Sequence, residues 1–128
     1  MSDKSDYLEN AILNHVLRNT ALASPGSVFL AIGSRTGDSF TELETPGQNG
    51  YARQAISFAA PSGGSCASSN SQTFGAATSD WASATAFAIF DAATGGNVLY
   101  IGNLAAARDA GIGDSILFGN GDITVAET

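Results

Sequence analysis

The chain reads as an all-β protein: an antiparallel, jelly-roll-like β-sandwich of about seven or eight strands with one N-terminal helix. Three observations predict this. Short β-favouring runs succeed one another from residue 27 to residue 125, glycine-bearing turns separate them, and only one stretch, near the N-terminus, carries helical periodicity. Strands and helices do not alternate, which argues against a parallel sheet, and no long period repeats, which argues against a solenoid or propeller. At 128 residues the length suits one domain, 1–128, with the helix over about 6–18 and the sandwich over about 27–126.

The helix follows from residues 6–18. Asp6 with Glu9 three positions on gives a D-x-x-E start like a capping box, and Leu8, Ile12, Leu13 and Val16 fall on one broad arc. A helix this short is marginal alone, so that arc must dock, either on the protein's own sheet or on another subunit. Asn19 and Thr20 loosen the pattern, and Pro25-Gly26 turns the chain into a strand over 27–32. Residues 33–50 are polar, with Asp38, Glu42, Glu44, Pro46 and several glycines. They read as a long exposed loop that admits a short strand near Phe40.

Residues 51–58 alternate, with Ala52, Gln54, Ile56 and Phe58 on one side and Arg53, Ala55 and Ser57 on the other, as in a half-buried strand. Pro61-Ser62-Gly63-Gly64-Ser65 is a flexible connector, and 71–74 a short strand. The most apolar run, 84–90, belongs at the centre of a sheet, and the turn over 91–97, with Gly95-Gly96, joins it to 98–104 as a hairpin. Residues 105–108 continue that strand or begin another, and Gly111-Ile112-Gly113-Asp114 turns the chain again. Strands over 115–118 and 122–125 flank Gly119-Asn120-Gly121, whose Asn-Gly pair predicts a second hairpin.

Charge restricts the partners. Twelve acidic residues against five basic ones give −7, and the bases Lys4, Arg18, Arg35, Arg53 and Arg108 are scattered singly. Nucleic acid and anionic membranes recruit through basic clusters, so neither is an expected partner. No run approaches the ~20 apolar residues of a membrane-spanning helix, and the polar residues 1–6 lack the basic-then-apolar pattern of an export signal. The charged fraction, 13%, is about half the usual share, which leaves a surface of Ser, Thr, Asn, Gln, Gly and Ala. Such a surface loses little side-chain entropy when a neighbour covers it, as an assembly component requires.

Reactive groups are sparse. Cys66 is the single cysteine, which excludes an internal disulfide and leaves a thiolate metal site without partners. His15, the single histidine, falls at the rim of the helix's apolar arc, where packing explains it. A triad with Ser65 or Cys66 lacks both a nucleophile elbow and a local signature around Gly64-Ser65-Cys66-Ala67. Asp109, Asp114 and Asp122 accompany turns. A single copy of a Gly119-Asn120-Gly121-Asp122 fragment falls short of the stacked repeats a calcium site needs, and turn hydrogen bonding accounts for these acids. No phosphate-cradling glycine motif occurs. No catalytic, cofactor-binding or metal residue is therefore expected, and no enzyme. Trp81, Tyr51 and Tyr100 can stack on sugars, but Trp81, at the entrance to the most apolar run, fits a core wedge or a partner contact better.

Several segments together resemble a known family. Residues 7–17 (Tyr7 to Leu17), 50–58 with the run Gly50-Tyr51-Ala52-Arg53-Gln54, and Ala60-Pro61-Ser62-Gly63-Gly64 are similar to small virion proteins of tailed phages. Thr78-Ser79-Asp80-Trp81, residues 90–97 and Ala110-Gly111-Ile112-Gly113-Asp114 extend the resemblance in the same order along most of the chain, with departures over 33–50 and 65–72. Members are labelled tail-fibre-like or head decoration proteins, so the resemblance implies a non-catalytic structural role in the virion. A compact acidic sandwich without a fibrous or coiled-coil shaft favours the head. The expected role is a capsid decoration or cement protein that binds the major capsid protein, self-associates as a dimer or trimer and stabilises the head. The alternative is a tail-associated protein or a glycan-binding adhesin module. Expected contact residues are Tyr7 and Leu8 at the helix start, Arg35 and Phe40 in the long loop, and Trp81.

Overall fold

A computed structural model describes residues 2–127; Met1 and Thr128, the ends of the predicted domain, lie outside the described residues. In chain order the elements are β1 (Ser2–Lys4), α1 (Asp6–Leu17), β2 (Val28–Thr36), β3 (Ser39–Glu42), β4 (Gln54–Ile56), β5 (Ser65–Ala67), β6 (Gln72–Phe74), β7 (Ala84–Phe90), β8 (Val98–Arg108), β9 (Ile116–Phe118) and β10 (Thr124–Ala126). The fold is all-β and sandwich-like, with antiparallel pairing throughout and one short helix. It has two strands beyond the eight segments that the sequence suggests, β1 and β5.

The main sheet runs β1-β8-β7-β2-β3, with β4 also paired to β2. β7 lies at its centre, as its apolar run predicts. Leu30 and Ile32 of β2 stand opposite Ile89 and Phe87 of β7, and all four point into the core. The predicted hairpin of β7 and β8 is present. Two irregularities shape it: a bulge near Val98 turns both Leu99 and Tyr100 toward the core, and Ala84 and Ala86 pair with Arg108 and Asn103, leaving 104–107 outside the ladder.

The second layer consists of two ribbons, β5 with β10 and β6 with β9, together with α1. Phe74, Ile116, Phe118, Ile123 and Val125 from the ribbons meet the inner face of the main sheet. The Asn120-Gly121 turn therefore does not make a hairpin: β9 and β10 part after it and each pairs with an earlier strand. The outer face of the main sheet is closed by small residues, Ala31 and Ala88, with Phe90 and Ile101, under Phe40. Asp3 of β1 and Arg35 of β2 have two strands between them, yet their side chains meet at 2.8 Å, so the sheet curls.

Residues 33–50 are not one long loop. β2 runs on to Thr36 and returns as β3, with Arg35 opposite Phe40 and Gly33 opposite Glu42. Glycine is needed at 33 because a Cβ there would lie 2.0 Å from the Thr41 carbonyl oxygen. The predicted strand over 51–58 shortens to β4, since Tyr51 turns inward as a core residue. Gly50 permits that turn: its φ is +80°, and a Cβ would sit 2.2 Å from the Ala76 carbonyl oxygen.

Candidate interaction surfaces

The N-terminus of α1 is fixed one residue earlier than the sequence pattern suggests. Ser5, not Asp6, is the N-cap, accepting from Leu8 N at 3.1 Å, while its own N–H donates to Leu99 O at 2.8 Å and its hydroxyl donates to Val98 O. Asp6 and Glu9 occupy the first turn, where the helix dipole favours acids. The predicted single arc splits in two. Leu8 is buried and Ile12 packs on the core beside it, whereas Leu13, Val16 and Leu17 are 53%, 68% and 74% exposed. With Tyr7, 45% exposed, they account for four of the six large hydrophobic residues exposed among the described residues. Residues three and four apart share a helix face, so Leu13, Val16 and Leu17 form one apolar stripe.

The expected contact residues are placed unequally. Tyr7 is open to solvent, but Leu8 belongs to the core. Arg35 ion-pairs with Asp3 and donates from Nε to Gly37 O at 2.9 Å. Phe40 is half-buried, edge-on to Phe90 with ring centroids 6.2 Å apart. Trp81 is 6% exposed; its Nε1 donates to Asn49 O at 2.9 Å, and its ring meets Tyr51 edge-on at 5.9 Å. The protein's own core therefore occupies Leu8 and Trp81, and the five residues form no common patch. The sequence places Leu13 and Val16 on the apolar arc that must dock, but it does not separate them from Leu8 and Ile12, which the core takes, and it leaves Leu17 off the arc.

The reactive side chains stay apart. His15 Nδ1 accepts from Leu22 N at 3.1 Å, and among the described residues no hydrogen bond joins it to Ser65 or Cys66. Cys66 lies in β5 beside a largely apolar cavity of about 300 Å³ that Ile89, Leu99 and Val125 also line. Burial pushes its thiol pKa up, which lowers the thiolate fraction and its reactivity. The turn carboxylates bond to backbone: Asp114 accepts from Gly111 N, Asp122 from Gly119 N and Asp80 from Ile112 N. No cluster of three or more metal-ligating side chains occurs among the described residues, and no helix there is long and apolar enough to cross a membrane.

Charged and phenolic groups also serve the interior. Glu127 accepts from Lys4 Nζ at 2.8 Å and from the Tyr100 hydroxyl at 2.9 Å. Burial alone would raise the Glu127 carboxyl, but these two hydrogen bonds and the Lys4 charge outweigh it and hold the pKa below the usual value. Tyr51, stacked on Phe74 at 5.7 Å, donates to Glu42 Oε2 at 2.8 Å and accepts from Ile32 N at 3.2 Å. Burial first, then the Glu42 charge, pushes its phenol far above the ordinary range. The folded state thus keeps a proton that the unfolded state releases. The associated stability is present below the unfolded pKa of ~10 and falls above it by about 1.4 kcal/mol per pH unit. Urea titrations between pH 9 and about 11.5 are expected to show this slope, and Tyr51→Phe to flatten it; partly exposed Tyr100, also raised by burial, retains a smaller share.

Leu13, Val16 and Leu17 leave one apolar stripe of the helix open to contact. Residues 3–126 match the family described as Podophage GP4 fiber I protein gp80, and the chain belongs to that family. It is a phage structural protein, a component of the virion. No curated protein matches the chain at a significant level.

Proposed function

We propose that the chain is a non-enzymatic subunit of a phage tail fibre, held in place by the exposed face of α1 against a second copy of itself. The observation that supports this reading best is the match to a family described as a fibre protein over nearly the whole chain. The lack of a shaft does not favour a capsid decoration protein bound to the major capsid protein, because compact modules joined through unlike surfaces build an extended assembly without a shaft in any one of them. Covering a Leu or Val side chain contributes roughly 1.5–3 kcal/mol, and Leu13, Val16 and Leu17 supply three in one stripe. Contacts of this size add up when repeated along an array.

The test is electron microscopy of intact particles carrying a gold-binding tag on this chain. Gold along the tail fibres is the expected outcome. Gold distributed over the shell would return the chain to the decoration role.

A further inference from the structure

We propose that the cavity between the bulged end of β8 and the β9–β10 turn binds a neutral saccharide. This goes beyond the fibre assignment and does not depend on the helix contact. The cavity measures about 470 Å³, within the range of small-molecule sites, and both polar and apolar side chains line it. Phe87 and Phe118 contribute apolar wall, and Asn103, Arg108, Asp122 and Thr124 contribute polar groups.

Two of these groups are held in readiness. The Arg108 guanidinium lies 4.7 Å above the Phe118 ring and spends one Nη1 hydrogen bond on Leu117 O at 3.0 Å. Asp122 is fixed through Oδ2, which accepts from Gly119 N at 2.7 Å. They line one cavity with opposite charges, yet they are not among the ion pairs of the described residues, whereas Lys4, Arg35 and Arg53 are each matched to a carboxylate. The remaining N–H groups of Arg108 can donate, and Asp122 Oδ1 can accept.

A ligand that bridges the two must accept at one end and donate at the other. A sugar hydroxyl does both, and neighbouring hydroxyls on one ring offer a donor and an acceptor together. An anion meets Asp122 and the −7 net charge, and a cation meets Arg108, so a neutral polyol is favoured. Its ring C–H groups suit the apolar wall, and Asn103 and Thr124 offer further partners. Of the aromatic platforms that the sequence suggests for sugar binding, Trp81 and Tyr51 are buried and do not serve, and Tyr100 lines a different cavity.

Saturation-transfer NMR on the full chain tests the site. The probes are the methyl glycosides of glucose, galactose, rhamnose and N-acetylglucosamine at about 10 mM, well above the ~1 mM dissociation constant of a weak site. Transfer to at least one of them is expected, weakened roughly tenfold or more by Arg108→Ala and by Asp122→Asn, as for loss of a hydrogen bond to a charged group. Amide spectra check that each variant is folded. Should Arg108→Ala unfold, Asp122→Asn and the surface changes Asn103→Ala and Thr124→Val carry the comparison. No transfer from any of the four glycosides, or transfer that the folded variants leave unchanged, overturns the proposal.

Discussion

Arg53→Ala is expected to destabilise the protein by about 3–5 kcal/mol, the cost of breaking a buried ion pair from one side. Arg53 Nε and Nη2 each bond a different oxygen of Glu42 at 2.9 Å, and Nη1 donates to Ala92 O at 2.9 Å and Gly95 O at 2.7 Å. The guanidinium also lies 3.5 Å from the centroid of the Phe90 ring. The two side chains are 5% and 15% exposed, so water cannot replace what is lost. Glu42 would keep its bond from Tyr51 but lose its counter-charge. Lysine cannot substitute, because the fork that reaches the carboxylate and the β7–β8 turn together is specific to a guanidinium. The double change Arg53→Met with Glu42→Gln removes both charges and is expected to cost less than Arg53→Ala alone. Urea midpoints measure all of these, and an Arg53→Ala loss under about 1 kcal/mol would contradict this account of the buried pair.

The second large effect is on association. Replacing Leu13, Val16 and Leu17 together by glutamine removes the apolar stripe with little change in helix propensity and none in charge. Because these side chains contribute little to the monomer core, its stability is expected to stay within about 0.5 kcal/mol of the original. Self-association, read by sedimentation velocity across a concentration series, is expected to weaken at least about 100-fold. Leu8→Ala should behave in the opposite way, costing about 2–5 kcal/mol of fold stability because that side chain is buried.

The features legible in the sequence were those carried by side-chain pattern. β7 and β8 with their Gly95-Gly96 turn, a strand over 27–32 that the structure begins at Val28, and the helix span follow from apolar periodicity and turn chemistry. β1 was hidden because Ser2, Asp3 and Lys4 are polar and their strand exists by backbone pairing to Gly102, Ile101 and Tyr100. β5 was hidden by Gly63-Gly64, whose positive φ values make a turn that leads directly into the strand. The hairpin reading of β9 and β10 failed because an Asn-Gly turn reports a change of direction and not the partner. Ser68 instead ties the turn to the β5 side, accepting from Gly121 N and Ile123 N. In β2 and β3, Arg35 and Glu42 look solvent-facing by type, but each is held by a partner distant in sequence.

The exposed apolar stripe was legible only in part. Periodicity located a helix with more apolar residues than one face can hold, but Leu8 and Leu13 look alike until the sheet selects the first. The polar cavity at Arg108 and Asp122 depends on a bulge in β8 and on strand pairing between distant segments, neither of which has a local signature.

The most direct measurement is the amount of this chain in purified particles grown in cells that supply only the Leu13→Gln, Val16→Gln, Leu17→Gln form. A fibre subunit seated through its outward helix face should be missing from those particles or depleted at least about tenfold, a loss of ~1.4 kcal/mol or more. Normal incorporation, with fibres intact, would contradict the account.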